Sequence, residues 1–121
     1  DMVTNGREVN ITLNVDENCD FDMENDVVGT RDMTLSDELD EWVLENAFKG
    51  NGEVRSGGNG LNVYMRVPVY DPDTGRPRSI KSETGKLRRF ASGLLKDKGY
   101  TVSEKAASGQ YIQLLIQNSR E

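Results

Sequence analysis

Apolar residues fall at every second position in Val9, Ile11, Leu13 and Val15, with Asn10, Thr12 and Asn14 between them. A period of two places the apolar set on one face of a β-strand, so this segment is predicted to be a strand with one buried side. Leu61, Val63, Met65, Val67 and Val69 repeat the pattern after the glycine-rich stretch Ser56 to Gly60. Pro68 has no N–H to give a ladder, which puts the end of that strand at an edge or a bulge. The preceding residues 52–55 read as its short edge partner across a glycine-rich turn. Tyr100 to Val102 and Tyr111 to Gln117, on either side of Ser108-Gly109, read as a second hairpin.

Two segments change to a helical period. Leu39, Trp42, Val43 and Ala47 predict a first helix, with Ser36 as N-cap, Asp37 and Glu38 where the helix dipole favours acids, and Gly50 as the stop. Leu87, Phe90, Ala91, Leu94 and Leu95 predict a second, capped by Ser82 and closed by Gly99 in a Schellman position. Between the strand at 61–70 and this helix, Asp71-Pro72-Asp73-Thr74-Gly75 has the residues of a tight reversal. The expectation is a basic hairpin arm over residues 71–81. Residues 16–33 show no sustained period and read as an acidic loop with room for a short strand at Val27 and Val28.

These elements predict a single α+β domain over residues 1–121, two helices packed on one face of a mainly antiparallel sheet. Lys49-Gly50 followed by Gly60, Val63, Met65 and Val67 matches Lys98-Gly99 followed by Gly109, Ile112, Leu114 and Ile116 at an offset of 49. A duplicated helix-then-hairpin unit is one reading of that match, and chance is the other.

The chain has 121 residues, 35% hydrophobic and 30% charged, enough for one modest core. Its net charge of −6 is unevenly spread: residues 1–75 carry −12 and residues 76–98 carry +6. There is no histidine and one cysteine, Cys19. The usual general base, the centre of a Ser-His-Asp or Cys-His triad, a Cys/His zinc set and an internal disulfide are all missing. The expectation is a protein that is not an enzyme and uses no cofactor or metal, in a reducing, cytoplasmic compartment and away from membranes, since no apolar run approaches the ~18 residues of a span.

Asp16, Asn18, Asp20 and Asp22 alternate as in a calcium loop, but Phe21 and Val27 stand where that loop needs glycine and a bidentate glutamate. Calcium binding is therefore not expected, and the surrounding acids disfavour a Cys19 thiolate. The glycine-rich residues 56–60 lead into a strand rather than a helix, and Gly85-Lys86-Leu87 lacks the upstream glycine of a phosphate loop, so both read as backbone punctuation.

Two sets of residues point to interaction instead. Arg76, Arg78, Lys81, Lys86, Arg88, Arg89 and Lys96 concentrate positive charge on the arm and second helix, and strand alternation sets Tyr64, Arg66 and Tyr111 on the sheet face away from the helices. Cations for phosphates and aromatics for unpaired bases make a non-catalytic nucleic-acid-binding domain, with a single-stranded partner, the first reading. The second is a regulator or inhibitor that meets a cationic protein surface, or a second copy in a homodimer, through Asp16, Glu17, Asp20, Asp22, Asp37, Asp40 and Glu41. Residues 16–45 hold 12 acids and one base, Arg31. Against both stand the plainer alternatives of a solvated helix face and ordinary cross-strand tyrosine packing.

Overall fold

A computed structural model describes residues 7–118 other than 24, 48–49, 58–59, 69, 71–74, 77–79 and 109, and leaves aside the side chains of 80–83. Its elements follow in the order β1 (Arg7–Val15), β2 (Val27–Val28), β3 (Met33–Thr34), α1 (Leu35–Asn46), β4 (Gly52–Gly57), β5 (Gly60–Val67), α2 (Ile80–Leu95), a 3-10 turn (Lys96–Lys98), β6 (Tyr100–Ser108) and β7 (Tyr111–Asn118). Five strands form one sheet in the order β4-β5-β1-β7-β6, and β2 and β3 form a small second sheet. Every neighbouring pair of the large sheet is antiparallel except β1 and β7. The fold is α+β, with two α-helices among the described residues.

Alternation decides which face is covered. Val9, Ile11 and Leu13 of β1, Leu61 to Val67 of β5 at every second residue, and Ile112, Leu114 and Ile116 of β7 are all buried in one cluster with Leu39, Trp42 and Val43 of α1 and Leu87, Ala91 and Leu95 of α2. α1 lies over β4 and α2 over β6, so the two helices sit side by side on that face, touching where Trp42 and Phe90 stack with centroids 5.9 Å apart. Gly52 lets α1 come close: a Cβ there would stand 2.4 Å from a Val43 methyl.

The offset of 49 reappears in the register. Val63 and Ile112 both oppose Ile11, while Met65 opposes Val9 and Leu114 opposes Leu13. The two helix-hairpin units are thus arranged about β1 as if by a two-fold axis through Ile11, normal to the sheet. Such an axis reverses strand direction, which is why β5 runs antiparallel to β1 and β7 runs parallel to it.

Several local expectations are corrected. α1 starts at Leu35 and is capped not by Ser36 but by Thr34, two residues earlier, whose hydroxyl accepts from the Asp37 N–H at 3.3 Å, and it ends at Asn46 rather than at Gly50. α2 starts at Ile80, so Ser82 lies inside it and is not its cap. Of the basic arm expected over residues 71–81, residues 71–74 and 77–79 lie outside the described residues, while Lys81 lies in the first turn of α2 and both edges of β5 are occupied by β4 and β1. On α2, Phe90 and Leu94 are half-buried flanks of a stripe formed by Leu87, Ala91 and Leu95 with Thr84. Gly99 does close the segment in the left-handed region, at φ 88°, after the 3-10 turn.

The acidic loop is better ordered than its charge implies. Cys19, Phe21, Met23 and Val28 are buried in the main cluster while Asp20, Asp22 and Asp26 are exposed. Phe21 packs on Tyr100 at 5.1 Å, which docks the loop on the start of β6.

Candidate functional site

The sheet face away from the helices has no element over it among the described residues. Register arranges its side chains in rows that cross all five strands. One row runs Glu53, Tyr64, Asn10, Tyr111, Ser108, and the next runs Arg55, Asn62, Thr12, Gln113, Ala106. Arg66 stands opposite Glu8 on the other side of the first row. The face is therefore two tyrosines and two arginines, with Glu53 and Glu8 beside the arginines, set in a field of amides and hydroxyls. Neighbouring strands lie ~4.8 Å apart, which puts the two tyrosine Cα atoms, two strands apart, on the order of 10 Å from one another.

Thr12, Asn62 and Gln113 of the second row are hydrogen-bonded. Thr12 donates to Asn62 at 3.0 Å, and Gln113 donates diagonally to Asn14 at 3.1 Å. In the first row, Asn10 Oδ1 is buried without a hydrogen-bond partner, beneath a depression of about 330 Å³ lined by Glu8, Tyr64, Gln110 and Tyr111. A buried acceptor left unpaired typically costs ~1–3 kcal/mol, which a donor from a ligand can recover. Tyr111 is 40% exposed. Arg55 lies 5.3 Å from the centroid of the Tyr64 ring, held there by hydrogen bonding to Glu53, which also raises the guanidinium pKa. A second depression of about 560 Å³ adjoins it and reaches Arg66. Both volumes are of ligand size, but they are shallow and open to solvent, a shape that suits a polymer laid across the sheet better than an enclosed small molecule.

The predicted cations are divided. Lys86, Arg89 and Lys96 are exposed on α2 and Arg88 is half-buried, all on the helical side of the sheet, whereas Tyr64, Arg66 and Tyr111 lie on the opposite side. Arg76 is exposed; Arg78 lies outside the described residues, as does the side chain of Lys81.

The acids are also in two groups. Asp16, Glu17, Asp20 and Asp22 surround a depression beside Gly60 and Leu61 at the end of β1. Asp22 is tied into its own turn, accepting from the Asn25 backbone at 3.2 Å and side chain at 2.8 Å. Asp37, Asp40 and Glu41 are on α1, where burial first and the charge of Asp37 second raise the pKa of Asp40. Arg31 joins the β2–β3 turn to α1 by pairing with Glu41 at 2.9 Å and with Glu38, and these bonds raise its pKa. Glu38 is 2% exposed. Acidic and basic segments also come together where Asp26 and Lys98 line one pocket with Phe21 and Tyr100. There burial, followed by the negative field of Asp20, Cys19 and Asp26, raises the pKa of the Tyr100 hydroxyl.

Two features escaped sequence reasoning. Asn10 looked like one polar position of an ordinary strand, and nothing in the sequence marks it as lying between two tyrosines, since that depends on the parallel pairing of β1 with β7. Arg31 did carry a signal, as the one base among 12 acids.

No helix among the described residues is long and apolar enough to cross a membrane. No curated protein and no solved structure matches the chain. The sequence model of a family described as a domain of unknown function (DUF6175) matches residues 7–116, from the first residue of β1 into β7.

Proposed function

We propose that this chain, which belongs to the DUF6175 family, is a non-catalytic module that binds single-stranded nucleic acid across its open sheet face. The observation that carries the reading is the row Tyr64, Asn10, Tyr111, with an unpaired amide oxygen between two rings on a face that no helix covers among the described residues. Aromatic rings accept any base by stacking, an amide meets base edges, and Arg66, together with Arg55 on exchanging Glu53 for a phosphate, supplies charge for the backbone. Compact sheets that bind RNA work by this division of labour.

Fluorescence anisotropy with a labelled single-stranded oligonucleotide tests it. Tyr64→Ala and Tyr111→Ala are each expected to cost about 1–3 kcal/mol of binding with the salt dependence nearly unchanged, because stacking releases no counterions. Absence of binding to any single strand at low salt overturns the proposal.

One observation favours a second reading, the acidic regulator. The base within residues 16–45 is consumed by Glu38 and Glu41, which leaves the exposed Asp20, Asp37 and Asp40 to present uncompensated charge to a cationic protein. Charge reversal at Asp37 and Asp40 separates the two readings. It abolishes binding to a basic partner, and it leaves nucleic-acid affinity unchanged or raised.

A further inference from the structure

We infer that a polynucleotide bound on the open face leaves it over the β6 edge and continues along the outer flank of α2, tracked by Lys105, Arg88, Arg89 and Lys96. The inference rests on the reading above and specifies its footprint.

Three observations carry it. The first is the bulge in β6: the register with β7 slips between Glu104 and Ala106, so Lys105 faces no residue of β7 and is exposed on an edge strand, next to the positions where Ala106 and Ser108 end the two rows. Bulges re-aim side chains at sheet edges, and here a cation is set at the rim between the two faces.

The second is the direction in which the cations of α2 point. The buried stripe of Leu87, Ala91 and Leu95 faces the sheet, and Phe90 leans toward α1, where it stacks on Trp42. At ~100° per residue, Arg88 and Lys96 fall on the other side of the stripe from Phe90, with Arg89 outward beside them. That flank looks away from α1, and since α2 lies over β6 while α1 lies over β4, it looks over the β6 edge. None of Arg88, Arg89 or Lys96 forms an ion pair with a described residue. α2 and β6 run antiparallel from the turn at Gly99, and Arg89 and Lys105 each lie ~15–20 Å from it by helix and strand rise, so they stand at a similar level.

The third is charge on the alternative routes. The β4 side carries α1 with Asp37, Asp40 and Glu41, and the Tyr100 end of β6 carries the acidic loop with Asp20 and Asp26. Both repel a phosphate chain, which leaves the Lys105 half of the β6 edge as the cationic exit.

Oligomer length tests this in the full chain. Oligonucleotides of about 5 nucleotides occupy the sheet face, and those of about 20 reach α2. The wild-type chain is expected to bind the long oligomer at least about tenfold more tightly than the short one, and at a steeper salt slope, by about 0.7 per added phosphate contact. Lys105→Glu with Arg89→Glu and Lys96→Glu should remove the gain with length and leave the short oligomer's affinity unchanged. A mere long-range field effect would weaken both lengths alike. An unfolded variant would lose the short oligomer as well, and in that case the milder Lys105→Gln with Arg89→Gln, expected to reduce the gain with length, decides. If the gain persists in folded variants, or both lengths weaken together, the route over β6 is wrong while the sheet-face reading stands. If neither length binds the wild-type chain, the sheet-face reading itself falls.

Discussion

Glu38 and Asp40, two residues apart on α1, show how neighbours decide what a carboxylate does to the fold. Glu38 is buried, with the glycine turn above it: a Cβ at Gly29 would lie 3.5 Å from Glu38 Oε2 and 2.8 Å from Leu94. Arg31 supplies its counter-charge, and a buried carboxylate is tolerated in a core only when it is so paired. Asp40 has no such partner among the described residues, and partial burial first and the charge of Asp37 second hold its proton more tightly in the folded chain than in the unfolded one. The sign follows from linkage: the protonated form favours folding, and that contribution is full below the ordinary carboxylate value of ~3.9 and lost as pH rises through the raised folded value. Asp40→Asn is therefore expected to raise the thermal midpoint at neutral pH, with the gain vanishing below about pH 4. A midpoint difference that is independent of pH would contradict this.

At the scale of elements, most strands and both helices were legible because their periods are clean, and the exceptions have physical causes. The alternation of Cys19, Phe21 and Met23 with acids is present in the sequence, but so many charges at intervening positions make the segment read as solvated, and its burial depends on Tyr100 from the far end of the chain. The end of the expected arm was misjudged for another reason: Ile80 and Lys81 begin α2, and β5 is already flanked by β4 and β1; which strands flank which is a property of the whole sheet. Within α2, the helical period includes Phe90 in the buried stripe, whereas Leu87, Ala91 and Leu95 are the fully buried positions. Leu87→Ala should accordingly cost about 2–5 kcal/mol, as for a well-packed leucine, and Phe90→Ala less than the ~3–5 kcal/mol of a fully buried ring. Denaturant unfolding of the two variants gives the order; a greater loss for Phe90→Ala would reverse the assignment. The candidate site was legible by halves. Strand alternation placed Tyr64, Arg66 and Tyr111 on one face, but the separation of that face from the cations of α2 needed the packing of the helices.

For the molecule as a whole, Ile11 is the point where the two helix-hairpin units join, with Val63 on one side and Ile112 on the other. Shortening it loosens both at once, so Ile11→Ala should expose the amides of β5 and β7 to hydrogen exchange with similar loss of protection. Retained protection in one hairpin would show that the halves are energetically separate. The same centrality sets a constraint in time. β1 is near the start of the chain, but one of its two neighbours is β7, so Asn10 must wait for Tyr111 before its ladder closes. During vectorial synthesis the first strand emerges from the ribosome with an unpaired apolar edge, first joined by β5 on one side only, and contacts so distant in sequence form slowly. The nascent chain thus has an interval in which it is open to capture by chaperones or to mispairing with another copy, and that interval ends only when β7 has been made.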